Sequence, residues 1–420
     1  MGAAAKKNFG TILLLILAGE AVFILPFVLA RIFRPTFLEV FNLSNTQLGY
    51  CFATYGFVAL ASYCFGGFLA DKFHARVLLG FALILTALGG FYMATIPSYD
   101  SLLVLYGCFG FTTIFLFWAA LIKATRIWGG QNKQATAFGF LDGGRGLVAA
   151  SFGAIGVWIF AQMLPEDTAL LTDQMRADAF TQVLWISSAI VLAVGLLVLL
   201  ALRLPNSGTN SEGSVFEWKH ARTALGYRSV WLLMIIILCG YFGYKSTDLF
   251  SLYAADVMGY DELQAAGVGT YLLAIRPIVG IGIGLLADRS KPSLYLVVGF
   301  LLTMVGSSLY ASGLITDAYP IAFLLGLLIT AVGVYAIRVL YFAVLPEGGI
   351  PLAITGTAVG IISFVGYTPD IFAGPIMGYY LDHYPGILGH QYVFGILAAF
   401  ATVGLIASVL YARHARSLRA

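Results

Sequence analysis

Charged residues are scarce in this chain. Asp, Glu, Lys and Arg make up 10% of its 420 residues, whereas soluble globular domains carry about 25%. Hydrophobic residues account for 60%, and the mean hydropathy is +0.91. A water-soluble core does not need that much apolar side chain, so the composition predicts a membrane protein and excludes an ordinary soluble domain.

Cysteine and histidine are also few. The four cysteines, Cys51, Cys64, Cys108 and Cys239, lie within apolar stretches and lack the spacing of zinc or redox sites. The five histidines lie in loops or at the ends of apolar stretches and form no HExxH-like cluster. No set of nucleophile, base and oxyanion donors can be assembled either. We therefore predict neither an enzyme nor a bound metal or cofactor.

Apolar stretches dominate what is present. A transmembrane helix needs roughly 20 mostly apolar residues, and twelve stretches reach that length. The first lacks a small-residue cleavage site, so we interpret it as a helix and not as a signal peptide. An all-α membrane fold follows, with spans 1 to 12 predicted at residues 9–40, 46–70, 77–97, 101–127, 136–160, 179–203, 227–257, 262–287, 293–314, 318–345, 352–381 and 391–412.

The basic residues predict the orientation. With the N-terminus inside, 16 of the 23 Lys and Arg residues fall at or near the cytoplasmic face, where basic loops are retained. Arg176 alone lies in a predicted outside loop, among Glu166, Asp167, Asp173 and Asp178. Both termini are therefore predicted to be cytoplasmic. This sorting explains the net charge of +3, and no nucleic-acid partner is needed.

The sequence repeats itself. Residues 67–72 (GFLADK) recur as residues 284–289 (GLLADR), an offset of 217, which also places Glu39 on Asp256 and Gln47 on Gln264. A polar stretch of linker composition, residues 205–214, separates the copies. We therefore predict an N-terminal six-helix bundle at 1–204, a cytoplasmic linker at 205–226 and a C-terminal bundle at 227–420.

The repeated glycine, aspartate and basic residue resemble the loop signature of the major facilitator superfamily, which follows the second and eighth helices. The resemblance implies a monomer with two pseudo-symmetric bundles, a solute site between them, and alternating access. It also implies a cytoplasmic gate, which consists of Asp71, Arg76, Asp288 and Arg289 in this chain.

Two departures from the family pattern bear on function. Span 4 has Tyr106, Gly107 and Gly110 where many proton-coupled members carry an arginine, so that residue's role cannot be transferred. Span 5 lacks the Gly-Pro pair of drug antiporters, which weakens the case for multidrug export.

Ten ionisable residues lie in the interiors of the spans, away from their ends. At about 3 kcal/mol each, exposing them to lipid would cost on the order of 30 kcal/mol, more than a typical folding stability of about 5 to 15 kcal/mol. Spans 3, 6, 9 and 12 contain none of them, as expected for peripheral helices. Most of the ten residues must therefore face one another, water or solute. The ten are Glu20, Arg31, Arg34, Asp142, Arg145, Lys245, Asp248, Arg276, Arg338 and Asp370.

Spacing suggests how some of these charges are arranged. The intervals between Glu20, Phe27, Arg31 and Arg34 put them on one helical face. The repeat offset maps Arg31 onto Asp248, so a pair across the cavity is plausible. Asp142 with Arg145, and Lys245 with Asp248, are three residues apart and could form local bridges.

The remaining charges predict the substrate class. Setting the local bridges aside leaves Glu20 and Asp370 against Arg31, Arg34, Arg276 and Arg338, a surplus of two positive charges. An organic anion such as a carboxylate, sugar phosphate or sulfonate would balance them. Arg34 could instead reach the outer surface, and Arg276 could bond carbonyls freed by Pro277. The predicted substrate contacts are Arg31, Arg34, Phe115, Trp118, Tyr241, Lys245, Tyr335, Arg338 and Tyr367.

Coupling residues complete the prediction. Glu20 and Asp370 could carry protons or serve as permanent partners of the arginines, and Asp142, Arg145 and Asp248 join them as coupling or gating candidates. Proton symport is the preferred mode. Anion exchange, lipid or amphiphile translocation, and a transporter-like solute sensor remain alternatives.

Overall fold

The structure is a computed structural model, and it describes residues 9–129, 134–165, 171–204, 218–351 and 355–418. Throughout this part the chain forms helices, turns and irregular connections, without a strand. Eleven of the described helices are long and apolar enough to cross a membrane. The helix of span 2, Asn45–Lys72, is not among the eleven. The predicted all-α, multi-pass architecture is confirmed, while the number twelve and the orientation stay predictions.

The helices follow the predicted spans closely. Two short helices, Arg34–Val40 and Trp218–Leu225, lie outside the long ones. Span 11 consists of two helices, Thr355–Gly366 and Pro369–His383. The others are Phe9–Ile32, Ala75–Met93, Tyr99–Gly129, Gln134–Met163, Asp173–Ala201, Arg228–Asp256, Glu262–Asp288, Pro292–Ala311, Pro320–Leu340 and Ile387–Ser417.

Irregular turns occur in four of the spans. Span 1 contains a π-helical segment, Ile24–Val28, and span 4 contains another, Phe111–Trp118. Span 7 has a 3-10 turn at Thr247–Leu249, and span 11 is broken at residues 367–368. The helices of spans 3, 6, 9 and 12 are uninterrupted. Since π-helical turns are frequent at functional sites, the irregular spans are the candidates for forming such a site.

Span 1 departs from the sequence prediction. Its helix does not run continuously over residues 9–40, because the helical backbone is interrupted at Phe33. Pro26 lies within the π segment and lacks the N–H group that a regular turn needs. Both irregularities fall between Glu20 and Arg34, so the spacing of these residues does not place them on one regular helical face.

Two compact units make up the chain. Unit 1 comprises Met1–Leu43, Tyr50–Gly213 and Asp261–Pro277, and unit 2 comprises Ser44–Gly49, Ser214–Tyr260 and Ile278–Ala420. Each unit therefore contains one short segment from the opposite half of the sequence. The exchanged segments begin at Ser44 and Asp261, positions that the repeat offset of 217 relates to each other. The predicted bundle boundaries at 204 and 227 stay a prediction, and residues 205–217 of the linker lie outside the described chain.

Close helix packing stabilises unit 2. Spans 9 and 10 approach so nearly that a Cβ on Gly333 would lie 2.5 Å from the Thr303 hydroxyl and 2.7 Å from the Gly299 carbonyl oxygen. Small residues allow such contact between membrane helices. Phe242 of span 7 stacks on Phe400 of span 12, with ring centroids 4.1 Å apart. This packing holds span 7, and with it the ionisable residues at its end, in a fixed position.

Candidate functional site

A buried charge cluster joins spans 1, 5 and 8 within unit 1. The Arg145 Nε atom lies 3.0 Å from Glu20 Oε2, and Arg276 Nη1 lies 3.7 Å from Glu20 Oε1. All three side chains are buried, Glu20 to 3% exposure. We call Glu20, Arg145 and Arg276 the Glu20 cluster. One carboxylate thus lies between two guanidinium groups, both of which are positively charged in proteins.

Aromatic rings cover the arginine of this cluster. The Arg145 guanidinium lies 5.3 Å from the centroid of Phe23 and 5.6 Å from that of Trp118. Cations over aromatic faces are stabilised by the ring quadrupole. Asp142 is a weaker neighbour, 3.8 Å from Arg145 and 59% exposed. The expected Asp142–Arg145 bridge therefore exists, but Glu20 is the nearer partner of Arg145.

A second cluster joins spans 7 and 11 within unit 2. Lys245 Nζ lies 3.3 Å from Asp370 Oδ1. The Tyr241 hydroxyl lies 3.1 Å from each Asp370 carboxylate oxygen, so it can donate to either one. The Tyr367 ring packs against Tyr241 with centroids 4.8 Å apart. We call Tyr241, Lys245 and Asp370 the Asp370 cluster. The sequence spacing predicts Asp248 as a local partner of Lys245, and the structure brings Asp370 of span 11 to the same ammonium group.

The break in span 11 sets the position of Asp370. The first helix ends at Gly366, and the second begins at Pro369, whose fixed φ suits the first position of a helix. The Asp370 N–H donates to the Tyr367 carbonyl oxygen across the break, at 3.1 Å. Asp370 therefore lies in the first turn of a helix, where the helix dipole stabilises a carboxylate.

Arg338 contributes a further cation to unit 2. Its guanidinium carbon lies 3.7 Å from the centroid of the Tyr244 ring, a cation–π contact. Tyr244 directly precedes Lys245 in span 7, and its ring stacks near Tyr241 at 5.8 Å. Spans 7, 10 and 11 thus bring Lys245, Arg338, Asp370 and three tyrosines together.

The remaining predicted site residues differ in burial and in their neighbours. Arg31, Arg34 and Asp248 are each 3% exposed, and Tyr335 is also buried. Phe115 stacks on Phe111 with centroids 4.9 Å apart. The Arg31–Asp248 pair stays a prediction. For the loop residues, Arg76 and Arg289 are exposed, whereas the side chains of Asp71 and Asp288 lie outside what the structure describes.

Sequence reasoning missed a cluster at the predicted outer end of unit 1. Arg176 lies 2.9 Å from Glu39 and 2.6 Å from Asp173, and it also contacts Glu262. The Thr36 hydroxyl donates to Glu262 at 2.9 Å. We call these five residues the Arg176 cluster. It holds Glu262, in the first turn of the helix Glu262–Asp288, against the short helix Arg34–Val40 and the start of the helix Asp173–Ala201.

Burial and nearby charges change the pKa of Glu39 in the Arg176 cluster. Partial burial raises the pKa of Glu39, Arg176 opposes the rise, and the nearby carboxylates of Glu262 and Asp173 add to it. The isolation of Arg176 among acidic residues was a signal in the sequence that something lies there.

Unit 2 has a corresponding contact at its predicted outer end. The backbone N–H groups of Asn45 and Thr46 donate to the two Asp382 carboxylate oxygens at 2.9 and 2.8 Å. A Cβ on Gly49 would lie 2.5 Å from the Gly374 carbonyl. The first turn of span 2 is therefore held against span 11. A carboxylate therefore fixes each exchanged segment. Glu262 lies in the first turn of one segment and contacts Arg176, and Asp382 accepts from the first N–H groups of the other.

Comparisons with known proteins place the chain among transporters. A family model described as the Major Facilitator Superfamily matches residues 11–373. The inner membrane protein YihN of Escherichia coli K12 is 29% identical over 97% of this chain and 96% of its own length. The inner membrane protein YqcE of the same strain is 28% identical over 90% of this chain and 88% of its own.

Solved structures share the fold at low identity. The crystal structure of a bacterial homologue of the human lysosomal transporter Spinster, inward-facing and unoccupied, superposes with a TM-score of 0.74 and 16% identity over 99% of this chain and 98% of that one. The nucleoside transporter NupG superposes with a TM-score of 0.69 and 15% identity, over 94% and 98% of the two chains. The expected resemblance is confirmed.

Proposed function

The chain belongs to the major facilitator superfamily, which makes it a multi-pass transporter and not an enzyme, and we propose that it moves a small organic anion by alternating access with proton coupling. The single observation that carries the anion proposal is the charge of the span interiors. Six basic and four acidic side chains lie there. Whichever way these ten residues pair with one another, two positive charges remain without an acidic partner.

Burial supports this reading of the charge count. Arg31, Arg34, Arg145, Lys245 and Arg276 are all at most 7% exposed. Charge in such surroundings is costly unless it is compensated. Guanidinium groups match carboxylate, phosphate or sulfonate oxygens with paired hydrogen bonds, and the tyrosines of span 7 and Tyr367 offer both rings and hydroxyls. An anionic solute fits these groups.

The irregular helices support alternating access. Spans 1, 4, 7 and 11 are interrupted where the charged and aromatic candidates lie, as in transporters whose broken helices form the solute site. The halves would rock about this site.

Proton entry can drive the uptake. One proton moving down about 100 mV releases roughly 2.3 kcal/mol, enough for around fiftyfold accumulation of a solute. Because YihN and YqcE are named inner membrane proteins, we place this transporter in a bacterial inner membrane, as a monomer with solute, protons and lipid as its partners.

A thermal-shift screen tests the substrate class. Lactate, glucose 6-phosphate, isethionate, uridine and alanine would be added to the purified protein, and the unfolding midpoint measured. We expect an anion to raise the midpoint, and Arg31→Ala and Arg338→Ala each to weaken that ligand by about tenfold or more, since a charged hydrogen bond contributes about 1.5 to 3 kcal/mol. Arg203→Ala, at an exposed position, is the matched control.

Stabilisation by uridine or alanine alone, with no effect of the two arginine substitutions, would refute the anion proposal. Counterflow in proteoliposomes then distinguishes the modes. Exchange that persists without a pH gradient, in the absence of concentrative uptake, indicates an anion exchanger. Concentrative uptake that a protonophore abolishes indicates proton symport.

A further inference from the structure

A contact between a carboxylate and a base occurs at corresponding places in the two units. The repeat offset of 217 relates Glu39 to Asp256. Glu39 lies 2.9 Å from Arg176 in unit 1, and Asp256 Oδ2 lies 3.0 Å from His390 Nε2 in unit 2. Each base is the fourth residue in the helix of the last span of its half, span 6 or span 12. The equivalent contacts therefore contain a permanently charged arginine in one unit and a titratable histidine in the other.

The His390 imidazole is buried with one nitrogen unbonded. Its exposure is 0%, whereas the Asp256 side chain is 38% exposed. Since an ionised carboxylate only accepts hydrogen bonds, His390 Nε2 carries the hydrogen and donates it to Asp256. The Nδ1 atom has no hydrogen-bond partner among the residues that the structure describes. Because no donor there occupies its lone pair, Nδ1 is the atom that can accept a further proton.

We propose that His390 is a pH-sensing residue, and that a proton on Nδ1 turns its hydrogen bond with Asp256 into an ion pair that holds the predicted outer end of span 7 against span 12. Histidine changes charge between about pH 5 and 8, and an ordinary aspartate is ionised throughout this range. The ion pair is therefore complete at the acidic end of the range and is lost as the pH rises. The contact acts in this way whatever the substrate is, and so goes beyond the proposed function.

Two effects oppose a charge on His390, and one favours it. Burial removes the water that would solvate an imidazolium group, and the start of a helix disfavours a cation. The Asp256 carboxylate, in direct contact, stabilises the cation. At the corresponding place in unit 1, Arg176 is a permanent cation with three carboxylate neighbours. With one carboxylate neighbour, His390 becomes charged only when the proton concentration is high enough to overcome burial and the helix start.

The other titratable groups near His390 are bound elsewhere or exposed. The Tyr253 ring contacts the imidazole with centroids 4.9 Å apart, and its hydroxyl donates to a backbone carbonyl oxygen. The Tyr310 hydroxyl of span 9 also donates to a backbone carbonyl oxygen. On span 11, Asp382 accepts from the start of span 2. The exposed groups of the neighbouring elements are Asp317, Tyr319, His383, Tyr384 and Tyr392.

Span 7 connects this contact to the Asp370 cluster. Asp256 ends the helix Phe250–Asp256, which directly follows the 3-10 turn Thr247–Leu249. Lys245 and Asp248, the other charged residues in the second half of span 7, lie before or within that turn. When His390 is neutral, the outer end of span 7 separates from span 12 more readily. The freedom of the residues that follow the candidate site therefore depends on pH.

Nitrogen NMR of a protein with a single histidine tests the protonation directly. With His390 as the only labelled histidine, its signals need no assignment. At about pH 8 we expect a neutral ring with its hydrogen on Nε2, and towards about pH 5 a ring with both nitrogens protonated. Adding Asp256→Asn should keep the ring neutral to a lower pH, because the stabilising carboxylate is gone. Glutamine replaces the other four histidines in this protein, which are His74, His220, His383 and His414.

Cysteine labelling tests whether the ion pair holds span 7. Ala254 lies at the predicted outer end of span 7 and is 0% exposed. In the purified protein with its native cysteines replaced by serine, Ala254→Cys should react with a maleimide roughly threefold to fivefold faster at about pH 8 than at about pH 5.5. Each rate is divided by that of Ser312→Cys, an exposed position, which corrects for ionisation of the thiol.

Three variants assign this difference to the contact. His390→Gln and Asp256→Asn each remove the ion pair, so Ala254→Cys should react at the faster rate at both pH values. Asp256→Asn changes a partly exposed side chain, which covers the case in which His390→Gln does not fold. His383→Gln is the matched control, because His383 is exposed, and it should retain the difference.

Either measurement can overturn the proposal. A His390 ring that stays neutral down to about pH 5, or that carries its hydrogen on Nδ1 when neutral, would refute it. A labelling rate that does not change with pH while His390 and Asp256 are both present would also refute it, as would a change that persists in Asp256→Asn. Neither measurement uses a substrate, so a failure of the anion proposal in the thermal-shift screen is distinguished from a failure of the pH-sensing contact.

Discussion

Single charged side chains decide the chemistry of the span interiors. Glu20 and Asp370 look alike in the sequence, since each is an acidic residue in an apolar stretch. The structure gives Glu20 two arginine partners and Asp370 a lysine and a tyrosine. The same type of residue is therefore held by different partners in the two units.

Replacement of Glu20 by glutamine tests its structural role. Glu20→Gln would leave Arg145 and Arg276 buried without their carboxylate, and breaking a buried ion pair in this way costs about 3 to 5 kcal/mol. We expect a clear fall in the thermal unfolding midpoint of the purified protein. Asp142→Asn is the matched control: its side chain is 59% exposed and 3.8 Å from Arg145, so a loss of about 1 kcal/mol or less is expected. Equal midpoints for the two variants would contradict the structural role of Glu20.

At the scale of helices, irregular segments and close backbone contacts position these residues. The π segment at Ile24–Val28 and the break before Pro369 set the directions of the residues that follow them. Span 2 meets span 11 backbone to backbone at Gly49 and Gly374. Since no side chain separates them, Asp382 can reach the first N–H groups of span 2.

An alanine at this crossing tests the contact. The new Cβ of Gly49→Ala would lie 2.5 Å from the Gly374 carbonyl, so the helices must move apart. Overpacking of this kind costs about 1 to 3 kcal/mol. Gly143→Ala is the control, because its Cβ would have no neighbour within 4 Å and alanine favours a helix by up to about 1 kcal/mol. We expect the thermal unfolding midpoint of the purified protein to fall for Gly49→Ala and not for Gly143→Ala. A midpoint that falls for Gly143→Ala alone would show that the two helices do not cross closely at Gly49.

At the scale of the whole molecule, the duplication governs how the chain is divided. Each unit holds one segment from the opposite half of the sequence, and the two segments start at positions that the repeat relates, Ser44 and Asp261. The Arg176 cluster fixes one segment and Asp382 the other. Two equivalent joints of this kind hold the exchanged segments within their units.

Cysteine labelling tests whether the Arg176 cluster holds its segment. Ala266 lies in the exchanged segment of unit 1 and is 1% exposed. In a variant with the four native cysteines replaced by serine, Ala266→Cys should react slowly with an impermeant maleimide added outside. Adding Glu262→Gln removes the ion pair to Arg176, so several-fold faster labelling is expected. Asp178→Asn is the control, because that carboxylate accepts from Gln174 of its own helix. An unchanged rate with Glu262→Gln would show that the segment is held by other contacts.

The sequence by itself determined the membrane class, the positions of the spans and the internal duplication. These features depend on the lengths of apolar stretches and on a fixed offset, and both are local or additive properties of the chain. It also identified ten ionisable residues in the span interiors and their surplus positive charge, because the cost of placing charge in lipid applies whatever the fold.

Only the tertiary structure decided which charged residues contact one another. Glu20 contacts Arg145, 125 residues away, and Arg176 contacts Glu262, 86 residues away. Residue spacing predicts neighbours only within a regular helix, and the π segment in span 1 disrupts even that rule. Long-range partners depend on how helices pack, which is set by the summed contacts of many apolar side chains and by close approaches such as that at Gly49. For this reason the charge balance could be read from the sequence, whereas the partners of Glu20 and Asp370 could be found only from the fold.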